Sequence, residues 1–367
     1  MKKIKLLPMV SAIGVMAFHL LFVACNQSKD NENKDEATQV DKGTTVSVTK
    51  ENFAFAMADL AMQKEFVQGA DNTWNHHRKP MPLNEQPAPL MNRDTDYSFA
   101  ILDGGGDVAI TLPETDGRYM SLHIVNHDHV TVKVFYGPGR YVIPSSETTD
   151  FYWANVRIQV NPNDPADIKK VNGYQDQLQL EFLNGYQPKS FKVTDWNMEE
   201  FKKVLQHYVE IAGKEGVRGT MGTVDNPVSL EDRNRGVSIA TGLLPDKDAV
   251  YLTEKYEVEK GIAYKATYQV PDMKDPKLGF YSVTIYGDDQ YLKTDKGSTI
   301  SNTEIKLNPD GKTFDLYYIL EDQFDQSKHQ NKLLVPTQPF WICFRVYMPG
   351  EPVVNGDYKL PKIEVAQ

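Results

Sequence analysis

Residues 92–136, NRDTDYSFAILDGGGDVAITLPETDGRYMSLHIVNHDHVTVKVFY, decide the fold. From Met120 onward the even positions Met120, Leu122, Ile124, Val130, Val132 and Val134 are apolar, whereas the odd row carries Tyr119, Ser121, His123, His127, His129, Thr131 and Lys133. A two-residue rhythm marks strands with one face in a core and the other toward solvent or a cavity. By pattern the three histidines belong to the open row and not to the core.

Working outward, further strands are expected over residues 97–102, 108–112, 119–125, 130–136, 141–143 and 152–160. Turn signals separate them at Gly104-Gly105-Gly106, Asp116-Gly117 and Gly137-Pro138-Gly139. Short strands at this spacing predict an antiparallel sandwich or barrel. Ahead of them, Thr49 can cap a helix whose apolar face is Phe53, Met57, Leu60 and Ala61, stopped by Gly69. Asp164-Pro165 opens a short helix, because Asp caps well and proline suits the first helical position.

A helical section follows. Asp195 caps a stripe of Phe201, Val204, Leu205, Tyr208 and Ile211 ending before Gly213, and Ser229 with Asp232 starts another helix. The glycine-rich stretch 213–227 between them reads as a linker. β character returns over 263–270, 280–286, 299–307, 313–319, 340–348 and 358–363, with a tight turn at Asn308-Pro309-Asp310-Gly311. The expectation is a mainly β chain. A first β-sandwich with its leading helix spans 47–192, a helical connection 193–258 and a second β-sandwich 259–367.

The first 25 residues read as a bacterial lipoprotein signal peptide: Lys2, Lys3 and Lys5 precede an apolar run over 6–23, and Cys25 follows the small residue Ala24. Cys25 would carry the lipid, and the polar, aromatic-free residues 26–46 would form a flexible tether. The expected address is therefore the bacterial cell envelope, periplasmic or surface-exposed, with the membrane as partner. Loss of residues 1–24 removes three lysines and takes the net charge from −10 to −13. Such an acidic chain offers no electrostatic footprint for nucleic acid. Cys343, inside Phe340-Trp341-Ile342-Cys343-Phe344, reads as a packed strand residue.

Two constellations can carry chemistry. An HxH pair on one strand face, His127 and His129, would bring both imidazoles within reach of one divalent metal, as in a cupin-like enzyme. The expected Glu and the later His of a cupin site are missing, and Lys133 would oppose a cation. The other is a polar pocket at a sheet end, built from Asn92, Asp94, Thr95, Tyr97, Arg118 and Tyr119 with Tyr286 and Arg345 from the second half. Arg118 and Arg345 each neighbour an aromatic in a strand, so either can grip a carboxylate or close a structural ion pair. No G-x-S-x-G elbow or Walker A loop is present.

Asn92, Asp94-Thr95, Tyr97, Asp103 and Gly117-Arg118-Tyr119 resemble the opening signature of a bacterial two-domain family, domain of unknown function 1254 followed by domain of unknown function 1214. The run Gly279-Phe280-Tyr281-Ser282-Val283-Thr284-Ile285-Tyr286-Gly287, then Arg345-Val346-Tyr347-Met348-Pro349-Gly350 and Gly356-Asp357-Tyr358-Lys359-Leu360-Pro361, is similar to that family's second half. The resemblance implies two jelly-roll-like β-sandwiches with helices between them, and no established activity. The expected function is binding of a small polar or carbohydrate-like ligand in an inter-domain cleft, with no cofactor required. Its alternatives are a metal-dependent enzyme at His127 and His129, or an assembly protein that forms homo-oligomers.

Overall fold

The structure, a computed structural model, describes residues 45–366. The signal segment, Cys25 and nearly all of the expected tether lie outside the described residues. Val46, at the end of that tether, is already tied down: its N–H donates to Asp195 O and its carbonyl accepts from Asn197 N.

α1 (Phe53–Phe66) starts after Asn52, not Thr49, because the Thr49 N–H donates to the Asn52 side chain and folds that residue into the turn. The first β-rich half then comprises β1 (Asn75–His76), β2 (Thr95–Asp103), β3 (Val108–Leu112), β4 (Met120–Asn126), β5 (Thr131–Tyr136), β6 (Gly139–Ile143), β7 (Phe151–Gln159), α2 (Pro165–Gln175) and β8 (Gln179–Phe182). One antiparallel sheet runs β1-β2-β7-β4-β5 and a second runs β6-β3-β8. Ala100, Leu102, Leu122, Ile124, Ala154 and Val156 from the first sheet share one apolar cluster with Val108, Ile110 and Ile143 from the second. Asp164 caps α2 through the Ala166 N–H, as its sequence predicts.

α3 (Met198–Glu215) is capped by Asn197, whose side chain accepts from Glu199 N and Glu200 N, in place of the expected Asp195. It runs through Gly213 and stops at Gly216, whose φ of 73° lies in the region that favours glycine. α4 (Leu230–Ile239) begins at Ser229, which accepts from Asp232 N. These helices pack on α1 through Phe53, Phe201, Leu205, Tyr208 and Val237.

The second half holds β9 (Ala249–Tyr256), β10 (Tyr264–Gln269), β11 (Phe280–Tyr286), β12 (Thr299–Ser301), β13 (Thr313–Ile319), β14 (Lys332–Leu334), β15 (Phe340–Tyr347) and β16 (Glu364–Val365). Its sheets run β12-β11-β15-β9 and β14-β13-β10-β16, antiparallel except for the β13–β14 pair. Tyr281, Val283, Ile342, Phe344 and Val346 meet Ala266, Tyr268, Phe314 and Leu316 in one cluster. The chain is mainly β, with several antiparallel sheets. Three expectations shift. β9 lies inside the stretch expected to be helical, the strand expected over 299–307 ends at Ser301 where Glu304 N and Ile305 N turn back to its carbonyl, and 358–363 is not extended pairing.

Both faces of β4 are buried, so the row expected to look into open space does not. His123 is 0% exposed, and His127 and His129 are buried too. A second layer covers that row.

Candidate functional site

The second half of the chain covers the Tyr119 and Arg157 end of that face, while α1 covers its Val125 and His127 end. On the first sheet, cross-strand register lines up Tyr97, Arg157 and Ser121 in one row and Phe99, Asn155 and His123 in the next. On β11, β15 and β9, Ser282, Arg345 and Tyr251 form one row and Phe280, Tyr347 and Ala249 another. The apolar faces of both sheets are taken up by their own cores, so their polar faces meet. Asn92 Nδ2 donates to Tyr347 Oη at 3.0 Å, Tyr286 Oη donates to Met91 O at 2.8 Å, and Tyr119 packs its ring 5.1 Å from both Phe280 and Tyr347.

Asp94 is the chief polar tie across this layer. Its carboxylate accepts from Ser282 Oγ and Thr299 Oγ1 and lies 3.9 Å from Arg345 Nη1. Arg345, 3% exposed, donates to Thr284 Oγ1, Leu90 O and Tyr286 Oη at 2.8–2.9 Å. Its charge is thus met by a carboxylate and three acceptors.

Arg157 is built differently. It is 5% exposed, Nη2 donates to Gly242 O at 2.6 Å, Nη1 lies 3.4 Å from His123 Nδ1, and the guanidinium carbon stands 5.6 Å from the centre of the Tyr97 ring. No carboxylate among the described residues lies within ion-pair distance of it. Burial pulls its pKa down while Tyr97, Tyr251, Tyr119 and Tyr347 push it up; the balance lies above the ordinary value, so the group is charged. Burial, then Arg157 and His129, drive His123 well below the usual imidazole range, so it is neutral and keeps its Nε2 contact with Thr131 Oγ1. Burial pushes Tyr251 up to about 12.

Around Arg157 several buried polar atoms lack a protein partner: Ser121 Oγ, Asn155 Oδ1, Tyr119 Oη and Gln159 Nε2. Ordinarily more than nine in ten such groups are satisfied, so a concentration of this kind calls for an explanation. At the β5 edge of the layer, a polar hollow of about 80 Å³ is lined by Thr131, Lys133, Val134, Thr223, Lys247 and Asp248. Asp248 also accepts from Tyr136 Oη, and burial raises its pKa.

Of the residues singled out in sequence, Asn92, Asp94, Thr95, Tyr97, Tyr119, Tyr286 and Arg345 meet in or at the edge of this layer. Arg118 does not: it forks onto Asp116 and Asp167 and also donates to Gln159 O, closing an ion-pair network on the outer side. His127 and His129 are not a strand-face pair, since both lie in the β4–β5 turn, where His129 takes φ 59°. His127 Nε2 bonds Asp59 at 2.9 Å, whereas His129 Nε2 accepts from Gly242 N. Among the described residues no group of three or more His, Cys, Asp or Glu converges as a metal site. Cys343 is buried in the strand, as read. Arg157 was missed, although the alternation Asn155, Arg157, Gln159 against Ala154, Val156, Ile158 places it on the same polar face.

The family model described as a protein of unknown function (DUF1254) matches residues 72–181. That span runs from before β1 to β8 and contains every residue of the first sheet's polar face. The crystal structure of the VPA0106 protein from Vibrio parahaemolyticus is similar at 19% identity and TM-score 0.64, covering 87% of this chain and 98% of that one. This likeness concerns the fold alone. An uncharacterised protein from Burkholderia cenocepacia aligns at 14% identity and TM-score 0.48, over 86% of this chain and 87% of that one. No curated protein matches.

Proposed function

We propose that the chain is a ligand-binding lipoprotein of the bacterial cell envelope, anchored through Cys25, that takes a small polar or carbohydrate-like molecule between two sandwich-like halves. In this reading the second half is the companion domain of unknown function 1214. The observation that carries it is the set of buried, unpartnered polar atoms on one sheet face: Ser121 Oγ, Asn155 Oδ1, Tyr119 Oη and Gln159 Nε2. Each costs about 1–3 kcal/mol when left unmet, so a chain that keeps several together retains them for something they bind.

A purely structural interface would pair these atoms or replace them by apolar groups. The test is a thermal-unfolding screen of the protein with neutral sugars, sugar acids, amino acids and organic acids. Binding to the folded state raises the unfolding temperature. At least one solute is expected to do so, and its effect to vanish in Ser121→Ala with Asn155→Ala. A screen in which no class stabilises the protein, or in which the double variant responds as the wild type does, contradicts the reading.

A further inference from the structure

We infer that the ligand of this layer is a small organic acid whose carboxylate is held by Arg157. The inference rests on the layer being a binding site and adds the ligand's charge. Two buried guanidinium groups, Arg157 and Arg345, face each other's sheets across the layer, and the buried carboxylate of Asp94 lies against Arg345. Asp248, at the rim, is engaged by Tyr136. Arg157 is therefore the guanidinium of the layer with no carboxylate within ion-pair distance among the described residues.

A buried charge without a partner costs several kcal/mol, and proteins meet that cost with a counter-charge. Two of the five N–H donors of Arg157 are engaged, one on Gly242 O and one toward His123, and the remainder suit the planar oxygens of a carboxylate. What surrounds it narrows the class. Ser121 stands opposite Arg157 in cross-strand register, and the Arg157 charge acts on the Tyr119 phenol, so the three share one spot on the sheet. Hydroxyl and amide groups there suit hydroxyls on the acid, and the rings of Tyr97, Tyr251 and Tyr347 suit its apolar or sugar-like body. One guanidinium without a carboxylate partner fits a monoanion better than a phosphate dianion.

The test measures binding of glucuronate and benzoate to the full chain by titration calorimetry, beside their uncharged counterparts glucose and benzamide, and inorganic phosphate. One of the two acids is expected to bind saturably, at least about tenfold more tightly than its uncharged counterpart, a difference that one charge-assisted contact supplies. Arg157→Gln should abolish the preference, Arg157→Lys should keep part of it, and Arg140→Gln, on the exposed pair with Glu181, should leave it unchanged. Should Arg157→Gln not fold, Arg157→Lys with Tyr97→Phe decides the point. Equal affinity for acid and uncharged counterpart, acid binding undiminished in the Arg157 variants, or tighter binding of phosphate would overturn the inference and leave the binding reading standing. No binding of any of the five overturns the inference, and the binding reading then stands or falls by the unfolding screen.

Discussion

Asp94 and Asp96, two positions apart, meet opposite fates. Asp94 ties the halves together through Ser282, Thr299 and Arg345. Removing it as Asp94→Ala strands the Arg345 charge in a buried layer, and we expect a loss of about 3 kcal/mol in urea unfolding. A loss below about 1 kcal/mol, the scale of an exposed pair, would show that Asp94 is not the tie described. Asp96 is buried with neither carboxyl oxygen bonded, and burial, reinforced by Asp167 and opposed by His77, raises its pKa from 3.8 to about 7. The folded chain then holds a proton that the unfolded chain releases, so stability falls as pH rises between 3.8 and about 7. Below both values the penalty is absent. Asp96→Asn should raise the unfolding temperature at pH 8, change it little at pH 3.5, and flatten the decline between them; a parallel pH dependence in wild type and variant would refute this assignment.

At the scale of elements, the buried Asp59 carboxylate helps to dock α1. Asp59 accepts from His127 Nε2, Trp196 Nε1 and Gln63 Nε2 at 2.8–2.9 Å, and so joins the helix to the β4–β5 turn and to the chain just before α3. Asp59→Ala leaves three donors unmet, and a loss of about 3 kcal/mol or more is expected, with faster amide exchange confined to α1 and that turn. Exchange that quickens equally throughout the first half would contradict so local a role. Strands were legible wherever the two-residue rhythm was clean: β3, β11 and β13 stand where the alternation and the turn signals put them. β9 was not, because Ala249–Tyr256 follows a helical run with only the short turn of residues 245–248 between them. The stretch 358–363 misled for the opposite reason, since Tyr358 and Leu360 pack on the core cluster without pairing while Pro361 removes a donor.

For the whole molecule, what sequence could not reveal is that two half-polar sheets face each other. Period two says that a row is polar; it cannot say whether water or another sheet lies opposite. Hence the row with Ser121 and His123 looked open, Arg118 looked like a pocket residue, and Arg157, one charge in an otherwise uncharged strand, passed unremarked. The same oversight made the turn residues His127 and His129 look like a ligand pair.

The contrast between the two buried arginines carries the account, and paired variants test it. Arg345 is satisfied by its surroundings; Arg157 has no carboxylate within ion-pair distance among the described residues. Denaturant unfolding of Arg345→Met and Arg157→Met against wild type, without ligand, measures this directly. Arg345→Met should lose about 3 kcal/mol or more, because Asp94 is left uncompensated, while Arg157→Met should stay within about 1 kcal/mol of wild type or exceed it, because an unpaired charge leaves the layer. If Arg157→Met loses as much as Arg345→Met, Arg157 is an ordinary structural residue and the layer is an interface, not a site.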